Sequence, residues 1–247
     1  MLSIEEIKLL IEKLEKVKKE DLQKLIDSNL KILKDLALAI DANNDQIINR
    51  LDKTPEWFEL DNQQKKAKPI IDEALRRQIQ SKIFQFGRTN AYNSLEIGPG
   101  NGMFSMDFRT WAQQFYLDIL PQVEEPIRKM FPRAHQKRLI FYKTKNTECS
   151  NIPQNSCNFV FSWDTFVFFT QQHVQQYLHD IKRVLIPGGY CFIQYADCHY
   201  DTDLDLAKRG YWNYNTKTAM TQMIQDEGYE VVEMNQFRPG ANYAIFK

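Results

Sequence analysis

Between residues 4 and 51 apolar side chains recur every three or four positions. Ile4, Ile7, Ile11 and Leu14 form one series; Ile26, Leu30, Leu33, Ala37, Ile40, Ile47 and Leu51 form a second, with Asn44 inside it. That period predicts helix, and residues 1–51 contain neither glycine nor proline. The Val17–Asp21 stretch shifts the phase, so two helices with a break and one long helix with a slip both fit. The segment reads either as a coiled coil that makes a homo-oligomer, with Asn44 fixing its register, or as a helical cap folded back on the rest. Thr54-Pro55-Glu56 suits a helix start, and Trp57, Phe58 and Leu60 are candidate anchors. Ile70, Ile71, Leu75, Ile79 and Ile83 predict an amphipathic helix over 69–86.

From residue 93 the pattern changes to short apolar runs at 93–97, 115–117, 138–143, 158–162, 189–195, 229–234 and 242–246. Phe159 to Phe161 are continuously apolar, which predicts a strand covered on both faces. Leu178, Ile181, Val184 and Leu185 return to helical spacing, and Pro187-Gly188-Gly189 turns the chain into the next strand. Alternating strands and helices predict an α/β fold with a largely parallel sheet. Arg238-Pro-Gly joins the last two strands without a helix, predicting an antiparallel end. Three parts follow: a helical extension over 1–51, a linker and packing helix over 52–88, and an α/β domain over 89–247.

The first strand of that domain runs into Glu96-Ile-Gly98-Pro99-Gly100-Asn101-Gly102. Glycines at alternate positions let the backbone approach a ligand closely, and an apolar element starting at Met103 and Phe104 predicts a helix whose first N–H groups are unpaired. Glu96 puts a carboxylate at the mouth of the loop, which suits a cationic amino-acid group better than a pyrophosphate. About twenty residues on, Asp118 ends a short strand where a carboxylate can take two hydrogen bonds from vicinal hydroxyls. Ser162, Trp163 and Asp164 follow the Phe159–Phe161 strand, at the sheet end where open α/β folds bind ligands.

The acidic residue before G-x-G-x-G, Asp118, the Phe159–Asp164 stretch and Leu185-Ile-Pro-Gly-Gly followed by a strand fall in one order that resembles class I S-adenosylmethionine-dependent methyltransferases. The resemblance implies a Rossmann-like methyltransferase sheet and S-adenosyl-L-methionine as cofactor. It implies that residues 98–102 wrap the methionine part, that Glu96 orients it, and that Asp118, with Ile119 beside it, holds the ribose. Asn146 and Thr147 would meet the adenine, and Ser162 and Trp163 would close the other side. Residues 90–247 are also similar to bacterial sugar or polysaccharide O-methyltransferases, which implies transfer to a saccharide or similar polar small molecule. Phe168 departs from that group, which often has a histidine there; so do Gln194 and Tyr195, where it often has histidines. The catalytic base therefore stays open between Asp164 and His199. Asp164 can equally be a helix cap. Tyr195, Tyr211, Trp212 and Tyr214 either line an acceptor pocket or sit in the core.

Two other readings compete: a methyltransferase acting on a protein or other macromolecule, docked by the N-terminal helices, and a non-catalytic cofactor-binding scaffold. The intact loop and Asp118 argue against the scaffold. Ser162-Trp-Asp-Thr lacks the tetrapeptide of exocyclic-amine nucleic-acid methyltransferases. The 32 basic and 32 acidic residues balance, which also argues against a nucleic-acid partner. No run approaches a membrane span, and the start of the chain lacks the apolar core of a signal peptide. Cys149, Cys157, Cys191 and Cys198 form no C-x-x-C pair, and the four histidines suggest no metal cage, so a cytoplasmic protein with free thiols is expected.

Overall fold

The computed structural model describes residues 71–87, 92–144 and 148–247. The readings of residues 1–70, including the coiled coil and the Trp57–Leu60 anchor, lie outside the described residues. Seven strands form one sheet: β1 (Asn93–Ile97), β2 (Gln113–Asp118), β3 (Leu139–Lys143), β4 (Cys157–Ser162), β5 (Leu185–Tyr195), β6 (Val231–Gln236) and β7 (Asn242–Phe246). Their order is β3-β2-β1-β4-β5-β7-β6. The first five are parallel, and β7 runs antiparallel to both β5 and β6. This is the Rossmann-like sheet with an antiparallel end that the sequence predicts.

Helices cover both faces. α1 (Glu73–Phe86) packs Ile79 and Ile83 against Phe159, Phe161, Phe192 and Ile245. Burying each such side chain contributes about 1.5–3 kcal/mol. Asp72 caps this helix by accepting the Leu75 N–H at 2.8 Å, which starts it later than residue 69. α2 (Glu124–Met130) and the short α3 (Arg133–Gln136) follow β2. On the opposite face from α1, α4 (Gln171–Val184) buries Val174, Leu178 and Ile181 against Leu95, Val160 and Cys191. α5 (Asp201–Lys208) and α6 (Lys217–Asp226) lie between β5 and β6. All four cysteines are buried and unpaired.

The helix expected from Met103 is corrected to a single 3₁₀ turn, Ser105–Phe108. Bonds from Ser105 N to Gly102 O, Asp107 N to Phe104 O, Arg109 N to Met106 O and Trp111 N to Phe108 O are all three residues long. A 3₁₀ chain rises about 2 Å per residue, so it spans the sheet in fewer residues than an α-helix. The turn and its flanks still bury Phe104, Phe108 and Trp111. Leu185 already pairs with Cys157, so β5 begins ahead of Pro187; residues 186–189 bulge out before Tyr190 pairs with Phe159.

Candidate cofactor and acceptor site

β1 and β4 are neighbours although β2 and β3 intervene in sequence, so connections leave them in opposite directions and open a crevice at their carboxyl ends. The loop 98–102 lies on one side of that crevice. Gly98, at φ +67°, packs so closely on the chain after β4 that an added Cβ would sit 2.1 Å from Thr165 Oγ1. Gly100, at φ +52°, has no heavy atom within 4 Å of the same position. Its backbone therefore faces open space, the cradle a closely held ligand requires. Pro99 and Gly102 are buried, Gly100 and Asn101 exposed. Gly102 N–H donates to Pro99 O at 2.8 Å and closes the turn.

Asp118 ends β2 one position beyond Leu117, whose carbonyl accepts the Gly98 N–H. Its Oδ1 accepts the Leu120 N–H at 2.9 Å. Burial pushes its carboxyl up to about 6, opposed by the amides of Leu120, Gly100 and Ile119. At neutral pH it is mostly ionised beside the loop, fit to accept hydroxyl protons. Ile119 is half-buried next to it.

Glu96 is not the open carboxylate expected at the loop's mouth. It is 3% exposed and takes a 2.7 Å hydrogen bond from Ser105 Oγ. Burial raises it to about 8, so without ligand it is mostly protonated at pH 7. Ser162 and Trp163 are also turned inward. Ser162 Oγ donates to the Ile97 carbonyl at 2.8 Å and ties β4 to β1. Trp163 is buried among Phe104, Phe192 and Phe237. Both side chains are buried. Asn146 and Thr147 lie outside the described residues.

Asp164 stands at the carboxyl end of β4 with φ +55°, a left-handed conformation that is costly for a non-glycine residue and clusters at functional sites. Its N–H donates to Gln194 Oε1 at 2.6 Å, and Gln194 Nε2 donates to Gly240 O at 3.0 Å. Thr165 occupies the cap position of the following 3₁₀ turn, Phe166–Phe168, so capping is not the role of Asp164. Its half-buried carboxyl is pushed up to about 6 by burial.

His199 follows β5. Its Nδ1 lies 3.0 Å from Asp197 Oδ1, and its side chain is 62% exposed. Asp197 is buried and also accepts the His199 and Lys217 N–H groups. A cavity of about 550 Å³ opens here, lined by Asp197, His199, Tyr200, Lys217, Thr218 and Thr221 among others. Tyr195 is core, whereas Tyr211 and Tyr214 are about half exposed. Sequence reasoning missed Gln194 as a support of Asp164, although an amide ending the apolar run 191–193 was a signal. It also missed Asp203, which reads as a solvated first-turn residue of a helix. Among the described residues no helix is long and apolar enough to cross a membrane, and no group of three or more His, Cys, Asp or Glu could hold a metal ion.

Residues 95–193 match the methyltransferase domain family. A comparison with curated proteins by sequence finds no match. Among solved structures, an S-adenosylmethionine-dependent methyltransferase from Mesorhizobium loti is similar with a TM-score of 0.57 at 12% identity, covering 68% of this chain and 95% of that one. A protein from Pyrococcus horikoshii is similar with a TM-score of 0.56 at 14% identity, over 72% and 93% of the two chains. Geranyl diphosphate C-methyltransferase from Streptomyces coelicolor, solved with S-adenosyl-L-homocysteine, gives 0.57 at 7% identity, over 73% and 86%. At these identities the structures establish the shared fold. The methyltransferase domain match over 95–193, in a chain with the fold of these structures, supports S-adenosylmethionine-dependent methyl transfer with S-adenosyl-L-methionine as cofactor.

Proposed function

We propose that the protein methylates a hydroxyl oxygen of a saccharide or similar polar small molecule. The observation that carries this reading is the join between the two loops: Thr165 Oγ1 lies 3.3 Å from the Gly98 carbonyl, so Asp164 is one residue from the glycine loop. A cofactor cradled at Gly100 supplies a methyl group on a cationic sulfur. The new bond is oxygen to methyl carbon, the broken one carbon to sulfur, and the electron pair of that bond returns to sulfur. The hydroxyl proton must leave as the methyl arrives. Asp164, ionised above about pH 6, is the base in this reading. Gln194 fixes the backbone from which its carboxylate projects.

Polar side chains at the cavity beside β5, whose surface is otherwise largely apolar, support the acceptor class. His199, Tyr200 and Thr218 offer donors and acceptors, and Asp197 holds the His199 ring through Nδ1, which leaves Nε2 for a ligand. In this reading His199 binds an acceptor hydroxyl, or takes its proton in place of Asp164. Loops 98–102 and 118–120 bind the cofactor in this reading.

A labelled-methyl screen over mono- and oligosaccharides, other hydroxylated small molecules, peptides and nucleic acids tests the reading. Label on a saccharide or polyol hydroxyl supports it. Label confined to protein or nucleic acid overturns the acceptor class and leaves the cofactor site standing.

A further inference from the structure

We propose that Asp203 is the positioning residue of the acceptor side, locking Asp197, and through it His199, to strand β7. The inference rests on the reading above that Asp197 and His199 face the acceptor.

Asp203 is a carboxylate with no exposed surface, in the first turn of α5. A charged residue so buried is costly unless its atoms are engaged. Its Oδ2 accepts two hydrogen bonds, from the Asp197 N–H at 2.8 Å and from Asn242 Nδ2 at 2.5 Å. Asp197 begins the segment that carries His199, and Asn242 is the first residue of β7. One oxygen thus joins the chain leaving β5 to the strand on its far side, which pairs with β5 at Tyr195.

The same contacts reach the other candidate base. Gly240 precedes β7 with φ +80°, and a Cβ there would lie 4.0 Å from Asp203 Oδ1. The Gly240 carbonyl accepts Gln194 Nε2, and Gln194 Oε1 accepts the Asp164 N–H. Asp164 and His199 are therefore referenced to one turn, residues 237–242, from opposite sides. Asp203 Oδ1 and Asn242 Oδ1 are both buried without a hydrogen-bond partner among the described residues. Leaving a buried polar atom unpaired is unfavourable, and such exceptions in native structures call for an explanation. The shared Oδ2 gives a polar side chain a role at this buried position that a hydrophobic residue could not fill.

A hydrogen-bonding role predicts that the charge is dispensable and the acceptor oxygen is not. Asp203→Asn keeps an oxygen for both donors. Asp203→Ala removes the oxygen. The readout is long-range ¹H–¹⁵N NMR of the His199 ring in the full chain, which distinguishes the Nδ1–H tautomer that Asp197 selects from an averaged ring. Binding of S-adenosyl-L-homocysteine, followed by calorimetry, reports whether the cofactor loop is intact.

The expected result is an averaged His199 ring in Asp203→Ala, the wild-type tautomer in Asp203→Asn, and cofactor-product affinity within about twofold of wild type in both, as for a site that does not touch the loop. Wild-type ring signals in a folded Asp203→Ala overturn the proposal. If Asp203→Ala does not fold, Asn242→Ala releases the same carboxylate from β7 while leaving its bond to Asp197. A shifted His199 ring there supports the proposal, and an unchanged one overturns it. The tautomer is read without any acceptor, so failure of the saccharide assignment would leave this result legible on its own.

Discussion

Ser105 Oγ–H donates to Glu96 Oε2 at 2.7 Å, so the acidic residue of the glycine-loop motif is hydrogen-bonded where it is buried. The carboxyl is held between β1 and the 3₁₀ turn, where burial favours its neutral form.

That placement makes stability depend on pH with a definite sign. Glu96 rises from 4.5 to about 8 on folding, so the folded state holds the proton more tightly. The corresponding stability is fully present below about pH 4.5 and is lost as pH rises through about 8, amounting to a few kcal/mol at most. Glu96→Gln keeps an acceptor for Ser105 and should flatten this fall. Denaturant unfolding of the ligand-free protein from pH 5 to 9 measures it. A wild-type curve as flat as the variant's would mean that the carboxyl is not desolvated.

Gly98 and Gly100 should separate folding from binding. At both, a side chain costs roughly 1–2 kcal/mol because φ is positive. Gly98→Ala must also displace Thr165, adding about 1–3 kcal/mol of overpacking. Gly100→Ala meets no protein atom, so it should fold and yet bind S-adenosylmethionine about tenfold more weakly or worse. Calorimetry and thermal melts on the pair decide; full affinity in folded Gly100→Ala would move the cofactor away from this loop.

Asp118→Ala should weaken cofactor binding by roughly 1.5–3 kcal/mol, the range for hydrogen bonds to a charged group. Because burial raises Asp118 to about 6, wild-type affinity should also decline as pH falls through that value. A loss of only a few tenths of a kcal/mol in the variant would reduce Asp118 to a strand terminus.

With cofactor saturating, Asp164→Asn should lower turnover by about 10² to 10⁴, and wild-type turnover should fall as Asp164 takes up its proton below about pH 6. His199→Ala is the control. If it abolishes turnover while Asp164→Asn does not, the proton goes to His199.

The sequence alone determined the sheet, because its information is local. Apolar runs such as Phe159–Phe161 can be satisfied only between two covering layers, Arg238-Pro-Gly has no room for a crossover helix, and three alternate glycines specify a tight loop. It also put Asp118 at the end of the strand after the glycine loop, where β2 ends. The tertiary structure decided which way the side chains look. Glu96, Ser162 and Trp163 lie where the motifs place them, but Ser105, Ile97 and the Phe104–Phe192 aromatics engage them inside the fold. The helix after Gly102 became a 3₁₀ turn because ten residues must bury three aromatics and still reach β2. Asp203 was invisible in the sequence, because its partners Asp197 and Asn242 are brought to one oxygen only when β7 inserts between β5 and β6.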